Sequence, residues 1–164
     1  MKTRKTTNQI KQWKKISTQY ARYAAYDIRK DEIILDLRKI SKKVSSPNAR
    51  TIQLGENIHY EPLNGTFVLN HSCDPTGYIC FDDFTLKALG NIKRGEELTF
   101  HYCTTELKLS APFQCVCGSD KCLGLIRGFK FLDKEEQTGL FPLLSPYLKK
   151  WFENRSTHAS DKIS

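Results

Sequence analysis

The chain has 164 residues, 39% of them hydrophobic and 27% charged, with a net charge of +8. That length and balance fit one globular domain with a core of its own, and no apolar run is long enough to span a membrane. The N-terminus MKTRKTTNQIKQWKK is basic without the apolar centre of a secretory signal, so the sequence predicts an intracellular protein (cytoplasm or nucleus) with reduced cysteines.

Residues 1–16 read as a basic tail, carrying six Lys or Arg and no acid in the first 15 positions. Ile10 and Trp13 supply one apolar turn of a short helix at most. Such an arm suits a polyanion, but a solvated tail is the plainer reading. From Tyr20 onward short β segments dominate. Ile33-Ile34-Leu35 is an apolar run, and ARTIQLGENIHYEP places two strands around Gly55-Glu56-Asn57. GTFVLN predicts another strand, YICFDDFTLKAL a hairpin turning at Asp82-Asp83, and LTF at 98–100 one more. Helical signals come late. Asp133 and Glu136 have the spacing of a capping box, opening a helix that stops near Gly139. Ser145-Pro146 opens a second. Residues 153–164 read as a polar tail.

Three of the six cysteines fall within FQCVCGSDKCLG, as C-x-C-x4-C. In a reduced chain such a knuckle points to zinc, which takes four ligands in a structural site. Cys115, Cys117 and Cys122 give three. Cys80 lies in an apolar β segment and reads as core. Cys103 is ambiguous. Cys73 ends LNHSCDP, a polar cluster suited to a tight turn. Spacing alone leaves the fourth ligand open.

LNHSCDP, then GEELTFHY, then the cysteine knuckle, resembles the SET-domain family of protein-lysine methyltransferases, in the family's order and over about residues 18 to 152. The resemblance implies a mostly β SET fold of short curved sheets, with a pseudo-knotted C-terminal segment, a zinc-binding post-SET knuckle and short C-terminal helices. It implies the organisation 1–16 tail, 17–110 SET domain, 111–128 post-SET zinc segment, 129–152 helices and 153–164 tail. It makes Cys73 the fourth thiolate beside Cys115, Cys117 and Cys122. It implies S-adenosylmethionine as cofactor, met by Asn70 and His71 and, along QYARYAAYDIRKDEII, by Tyr20 and Ala21. It makes Tyr102 the catalytic tyrosine and Phe100 the position that limits the size of the amine.

The sequence departs from the family pattern in several places. Gln19 and Ala21 stand where the family has Gly-x-Gly, so side chains there could crowd the cofactor or forbid a positive φ. His101 replaces an Asp, and Thr76 an Asn. The implied partner is a protein substrate carrying a target lysine, a histone or another protein. No membrane is implied, a monomer is expected, and nucleic acid is not favoured because no array of stacking aromatics accompanies the charge. The positive charge opposes long-range attraction to a lysine-rich tail, although Asp82, Asp83 or Glu106 could line a groove. The alternative reading is a catalytically degraded SET fold that serves as a zinc-stabilised interaction module.

Overall fold

A computed structural model describes residues 13–16, 19–63 and 69–160, with side chains over 21–63 and 69–155. Twelve short strands and two short α-helices make up the described chain, joined by single turns of 3-10 helix. The strands are β1 (Trp13–Ile16), β2 (Gln19–Arg22), β3 (Ile33–Asp36), β4 (Ser41–Val44), β5 (Ile52–Gly55) and β6 (Ile58–Pro62). They continue with β7 (Asn70–His71), β8 (Gly77–Cys80), β9 (Thr85–Ala88), β10 (Thr99–Phe100), β11 (Phe113–Gln114) and β12 (Leu125–Ile126). The mostly β architecture read from the sequence is the one observed.

The strands form small sheets, two of three strands and the rest of two. One three-stranded sheet has the order β3-β9-β8, the other β4-β6-β5, and both are antiparallel. The expected hairpins around 55–57 and 82–83 are β5-β6 and β8-β9. In the second, Phe84 at φ 48 makes the turn. The β3-β9-β8 sheet carries the first core. Ile34, Ile79, Leu86 and Ala88 point inward from alternate positions and are at most 2% exposed. Leu37, Ile92 and Leu98 close over them. Leu69 and Phe100 bring the two-stranded parallel pair β7-β10 into this same core.

A second core lies C-terminal. Cys103, Leu109, Cys115, Ile126, Phe129, Leu144 and Leu148 are buried together. The chain at 127–130 runs alongside 106–109: Leu109 N donates to Arg127 O, Phe129 N to Glu106 O and Lys130 N to Leu107 O. Gly128 permits that crossing. It sits at φ 115, and a Cβ there would lie 2.7 Å from Leu107 O, so any larger residue would push the two segments apart. Helix α1 (Lys134–Leu140) opens on the capping box foreseen at Asp133 and Glu136: Glu136 N donates to Asp133 Oδ1, and Asp133 N donates to Glu136 Oε2. Helix α2 (Pro146–Ser160) begins after Ser145, whose Oγ accepts from Leu148 N. It sets Trp151 and Phe152 against Phe129.

Three expectations meet a different local structure. Trp13–Ile16, placed in a tail with a helical turn at Trp13, is a strand paired antiparallel with β2. A backbone ladder supplied by a neighbouring segment makes that strand, whatever the side-chain pattern of WKKI. Ile10 lies outside the described residues, as do 65–68 of the GTFVLN segment. Helix α2 continues past 152 to Ser160, because no Gly or Pro interrupts 147–160. Cys80 is half-buried, not core, and its Sγ accepts from Lys87 Nζ at 3.3 Å.

Candidate active site and cysteine cluster

The candidate residues gather where the two cores meet. Strands β7 and β10 run parallel, pairing Asn70 with Thr99 and His71 with Phe100. Thr76 locks the pair from outside: its Oγ1 donates to Glu97 O and accepts from Thr99 N. Asn70 Nδ2 donates to Glu97 Oε1 at 2.7 Å, which fixes the amide plane and turns its oxygen the other way. Tyr102 follows β10, and its hydroxyl donates to Leu69 O at 2.6 Å. Burial, with the Glu97 carboxylate nearby, pushes the Tyr102 hydroxyl up to about 12. It is therefore a neutral donor at ordinary pH.

Two histidines stand behind the tyrosine. His71 Nδ1 accepts from Tyr102 N and His101 Nδ1 accepts from Cys103 N, so in each neutral ring the proton sits on Nε2. Burial holds both neutral, pushing His71 down to about 3, with His101 beside it adding to the effect, and His101 down to about 4. The rings pack edge to face at 4.7 Å. His101 also caps the 3-10 turn at 102–104 through that Cys103 bond. An Asp, the family's residue, caps turns by the same acceptor chemistry, so the substitution keeps the local geometry and removes a charge.

Strand β2, which carries Tyr20 and Ala21, packs beside β7, which carries Asn70 and His71. Ala21 is 2% exposed and lies in the ladder opposite Lys14. Its backbone is extended and not left-handed, so at Ala21 the missing glycine carries no φ penalty. The Tyr20 side chain lies outside the described ones.

A cavity of about 130 Å³ opens beside Tyr102. Phe100, Tyr102, Phe113, Leu69 and Leu109 wall it, and Glu106 and Thr105 are among its polar lining residues. The Tyr102 ring lies 4.9 Å from Phe100 and 5.9 Å from Phe113, centroid to centroid. Phe100 is an apolar wall and a core residue at once. Phe113 was not assigned to a site from sequence; of the acids expected to line a groove, Glu106 lines this cavity and Asp82 and Asp83 do not. The alternation of FQCVC gives no hint that Phe113 turns toward Tyr102, because β11 reaches it only through the fold.

Below His71 lies the cysteine cluster. The sulfurs of Cys73, Cys115, Cys117 and Cys122 are all within 4.8 Å of one another, and none is in a disulfide. Cys73 Sγ is 3.9 Å from Cys115 Sγ. A tetrahedral zinc with bonds of about 2.3 Å sets its sulfurs about 3.8 Å apart, so the donors present fit zinc. Backbone amides already point at the sulfurs: Leu123 N donates to Cys73 Sγ, and the N–H groups of Cys73 and Ser119 hold Cys117 at about 6, below the usual thiol range. Burial pushes Cys73 above that range and Cys115 up to about 11. Four thiols packed this closely ionise together only with a cation among them. His71 Nε2–H points at Cys73 Sγ at 3.3 Å and so orients that sulfur. Of the cysteines left open by spacing, Cys103 is fully buried in the second core, where burial pushes it up to about 12. The structure therefore brings Cys73, and neither Cys80 nor Cys103, to the knuckle.

Short antiparallel sheets, a parallel pair carrying NHSC and a tyrosine between two cores define a SET architecture. The SET domain family model matches residues 19–103, more than half of the chain, and the chain belongs to that family. Among characterised proteins it is similar to methyltransferase flvH of Aspergillus flavus, 30% identical over 115 residues, which is 68% of this chain and 64% of that protein. It is also similar to histone-lysine N-methyltransferase ASHH2 of Arabidopsis thaliana, 37% identical over 73 residues. That match covers 39% of this chain and 4% of the plant protein, so the chain spans only part of either relative.

Proposed function

We propose that the chain is an S-adenosylmethionine-dependent protein-lysine N-methyltransferase. The observation that carries this reading is the aromatic cavity at Phe100, Tyr102 and Phe113, set directly beside the Asn70–His71 strand. Family membership and two relatives named as methyltransferases, one of them a histone-lysine methyltransferase, support it. S-adenosylmethionine supplies, when bound, a methyl group on a sulfonium.

The chain's own residues bind, orient and dry the site. Asn70, pinned by Glu97, presents amide donor and acceptor to the amino-acid end of the cofactor, with His71 beside it. The backbone of Tyr20 and Ala21 borders the same face. A lysine side chain enters the cavity between Phe100, Tyr102 and Phe113. Its free pKa is about 10.4, and it must arrive without its proton to act as a nucleophile. An apolar channel that strips water favours the neutral amine. The Tyr102 hydroxyl, held neutral, orients the incoming nitrogen. Zinc held by Cys73, Cys115, Cys117 and Cys122 ties the knuckle to the NHSC turn, and with it the Phe113 wall of the cavity.

The substrate is a protein carrying a lysine, and histones are one candidate class. The test is transfer of labelled methyl from S-adenosylmethionine into lysate proteins, read by mass spectrometry. Label on lysine is the expected result. S-adenosylmethionine should also raise the melting temperature by mass action, and Asn70→Ala should remove that rise without unfolding the chain. A folded protein with neither label nor shift is the interaction module instead.

A further inference from the structure

Glu106 is the acidic side chain of the cavity, and it is 7% exposed. Its Oε1 accepts from Gln53 N at 2.8 Å, and the Thr105 hydroxyl is its other polar neighbour. No Lys, Arg or His nitrogen forms an ion pair with it among the described residues. Arg50 lines the same cavity, but its side chain is exposed to solvent. A carboxyl buried without a cation pays a large desolvation penalty as an anion. Burial accordingly pushes Glu106 up to about 8, against the opposing hydrogen bond from Gln53.

A purely structural role accounts for part of this arrangement. Gln53 N donates to Glu106, and Gln53 Oε1 accepts from Leu107 N, so the pair staples β5 to the turn after Tyr102. A glutamine at 106 would make the same staple without the charge penalty. The carboxyl is needed only if something in the cavity uses its charge or its proton.

We propose that Glu106 is the acidic anchor of this cavity and gives up its proton to water as it binds the primary ammonium head group of an alkylamine side chain. The anchor rests on the lysine methyltransferase reading for its natural ligand, but not for its chemistry. An ammonium ion entering between Phe100, Tyr102 and Phe113 leaves water, and Glu106 returns the lost solvation as a charge-assisted hydrogen bond. One proton then passes from the ammonium nitrogen to the carboxylate. The ion pair becomes a neutral amine beside a neutral carboxylic acid, with no change in total charge and no outside reagent. A carboxyl matched in pKa to its surroundings is suited to that exchange, and the product is the uncharged amine that methylation requires. The neutral Tyr102 hydroxyl orients the nitrogen but cannot take this proton, since burial keeps its own proton in place.

The test uses n-pentylammonium chloride as the probe and the full chain as the protein. Ring-proton NMR shifts of Phe100, Tyr102 and Phe113 report binding without any need for turnover. We expect n-pentylammonium to saturate the wild-type signals and to bind Glu106→Gln about tenfold or more weaker, the usual scale for losing a charged partner. Glu106→Gln should also lower methyl transfer about as much, with the S-adenosylmethionine-induced melting shift kept. In wild-type protein 1-pentanol should bind about tenfold or more weaker than n-pentylammonium, which tests the anchor even if the variant does not fold. Equal binding of n-pentylammonium by both proteins, or of pentanol and pentylammonium by the wild type, overturns the anchor. No n-pentylammonium binding by the wild type overturns it as well. A wild type that transfers no methyl yet binds n-pentylammonium through Glu106 keeps the anchor and removes the methyltransferase reading. A wild type and a variant that methylate equally, with equal probe binding, do the reverse.

Discussion

The two cores of this protein are built by different means. The first is aliphatic: Ile34, Ile79, Leu86 and Ala88 come from one three-stranded sheet, and backbone ladders fix their places. The second has little sheet, just the two-residue strands β11 and β12. Aromatic rings fill it, with Phe129 against Trp151 and Phe152, and thiols border it. Tyr102 packs against both. A core with few ladders lacks the cooperative backbone frame of a sheet, and a structural metal is one way to supply the missing constraint. The site sits at the seam, so its geometry depends on how firmly the weaker half is held.

The largest effect belongs to the sheet core. Leu86 is fully buried, and Leu86→Ala should cost about 2–5 kcal/mol, read as a lowered urea midpoint. The next effect belongs to the seam and depends on pH. The folded-state pKa of Glu106 is raised, so between its ordinary value and about 8 the folded protein keeps a proton that the unfolded chain releases. Stability from this group is complete at low pH and declines as pH rises through that window, by up to about 1.4 kcal/mol per pH unit. Glu106→Gln should flatten the decline, so that its melting temperature gains on the wild type between pH 5 and pH 8, roughly the titration window. An unchanged difference would place the Glu106 carboxyl in water.

Smaller effects sharpen the division of labour inside the site. Tyr102→Phe keeps the ring contacts with Phe100 and Phe113 and removes the hydroxyl bonded to Leu69 O. Turnover should fall about tenfold or more, upwards of about 1.4 kcal/mol of barrier, with cofactor binding nearly kept. Phe100→Tyr should act least. A hydroxyl added at that wall can bond a water or the amine and fill the space a methylated nitrogen needs. The natural protein should therefore proceed beyond monomethyl-lysine, and Phe100→Tyr should move the product ratio toward monomethyl-lysine by an effect of about 1 kcal/mol. Mass spectrometry of a peptide substrate over time decides this; a natural protein that stops at one methyl removes Phe100 as the switch.

What the sequence made legible follows the same division. The hairpins at 55–57 and 82–83 and the helix caps at Asp133 and Ser145 are local, and local chemistry announces them. NHSC and the cysteine knuckle are legible as phrases, although only the fold brings Cys73 within reach of Cys115. Strand β4 was not legible. It is the edge of its sheet, and its SKKV sequence shows the exposed lysines that edge strands carry against aggregation, not an apolar alternation. Glu106 was legible as an acid, but not as a buried one. Its burial comes from β5 on one side and the 127–130 segment on the other, both distant in sequence. The extended backbone at Ala21 was likewise hidden, because a missing glycine in a phrase says nothing about the φ its replacement adopts.

On the proposed reading, the Cys73 thiolate, contributed by the turn after β7, joins the second core to the first through a shared zinc. Metal analysis of purified wild-type protein beside Cys73→Ser and Cys117→Ser tests it most directly. One zinc per chain is expected in the wild type, with Cys73→Ser loosening the metal about as much as Cys117→Ser. A wild type without zinc, or a Cys73→Ser protein that holds zinc as tightly as the wild type, would contradict it.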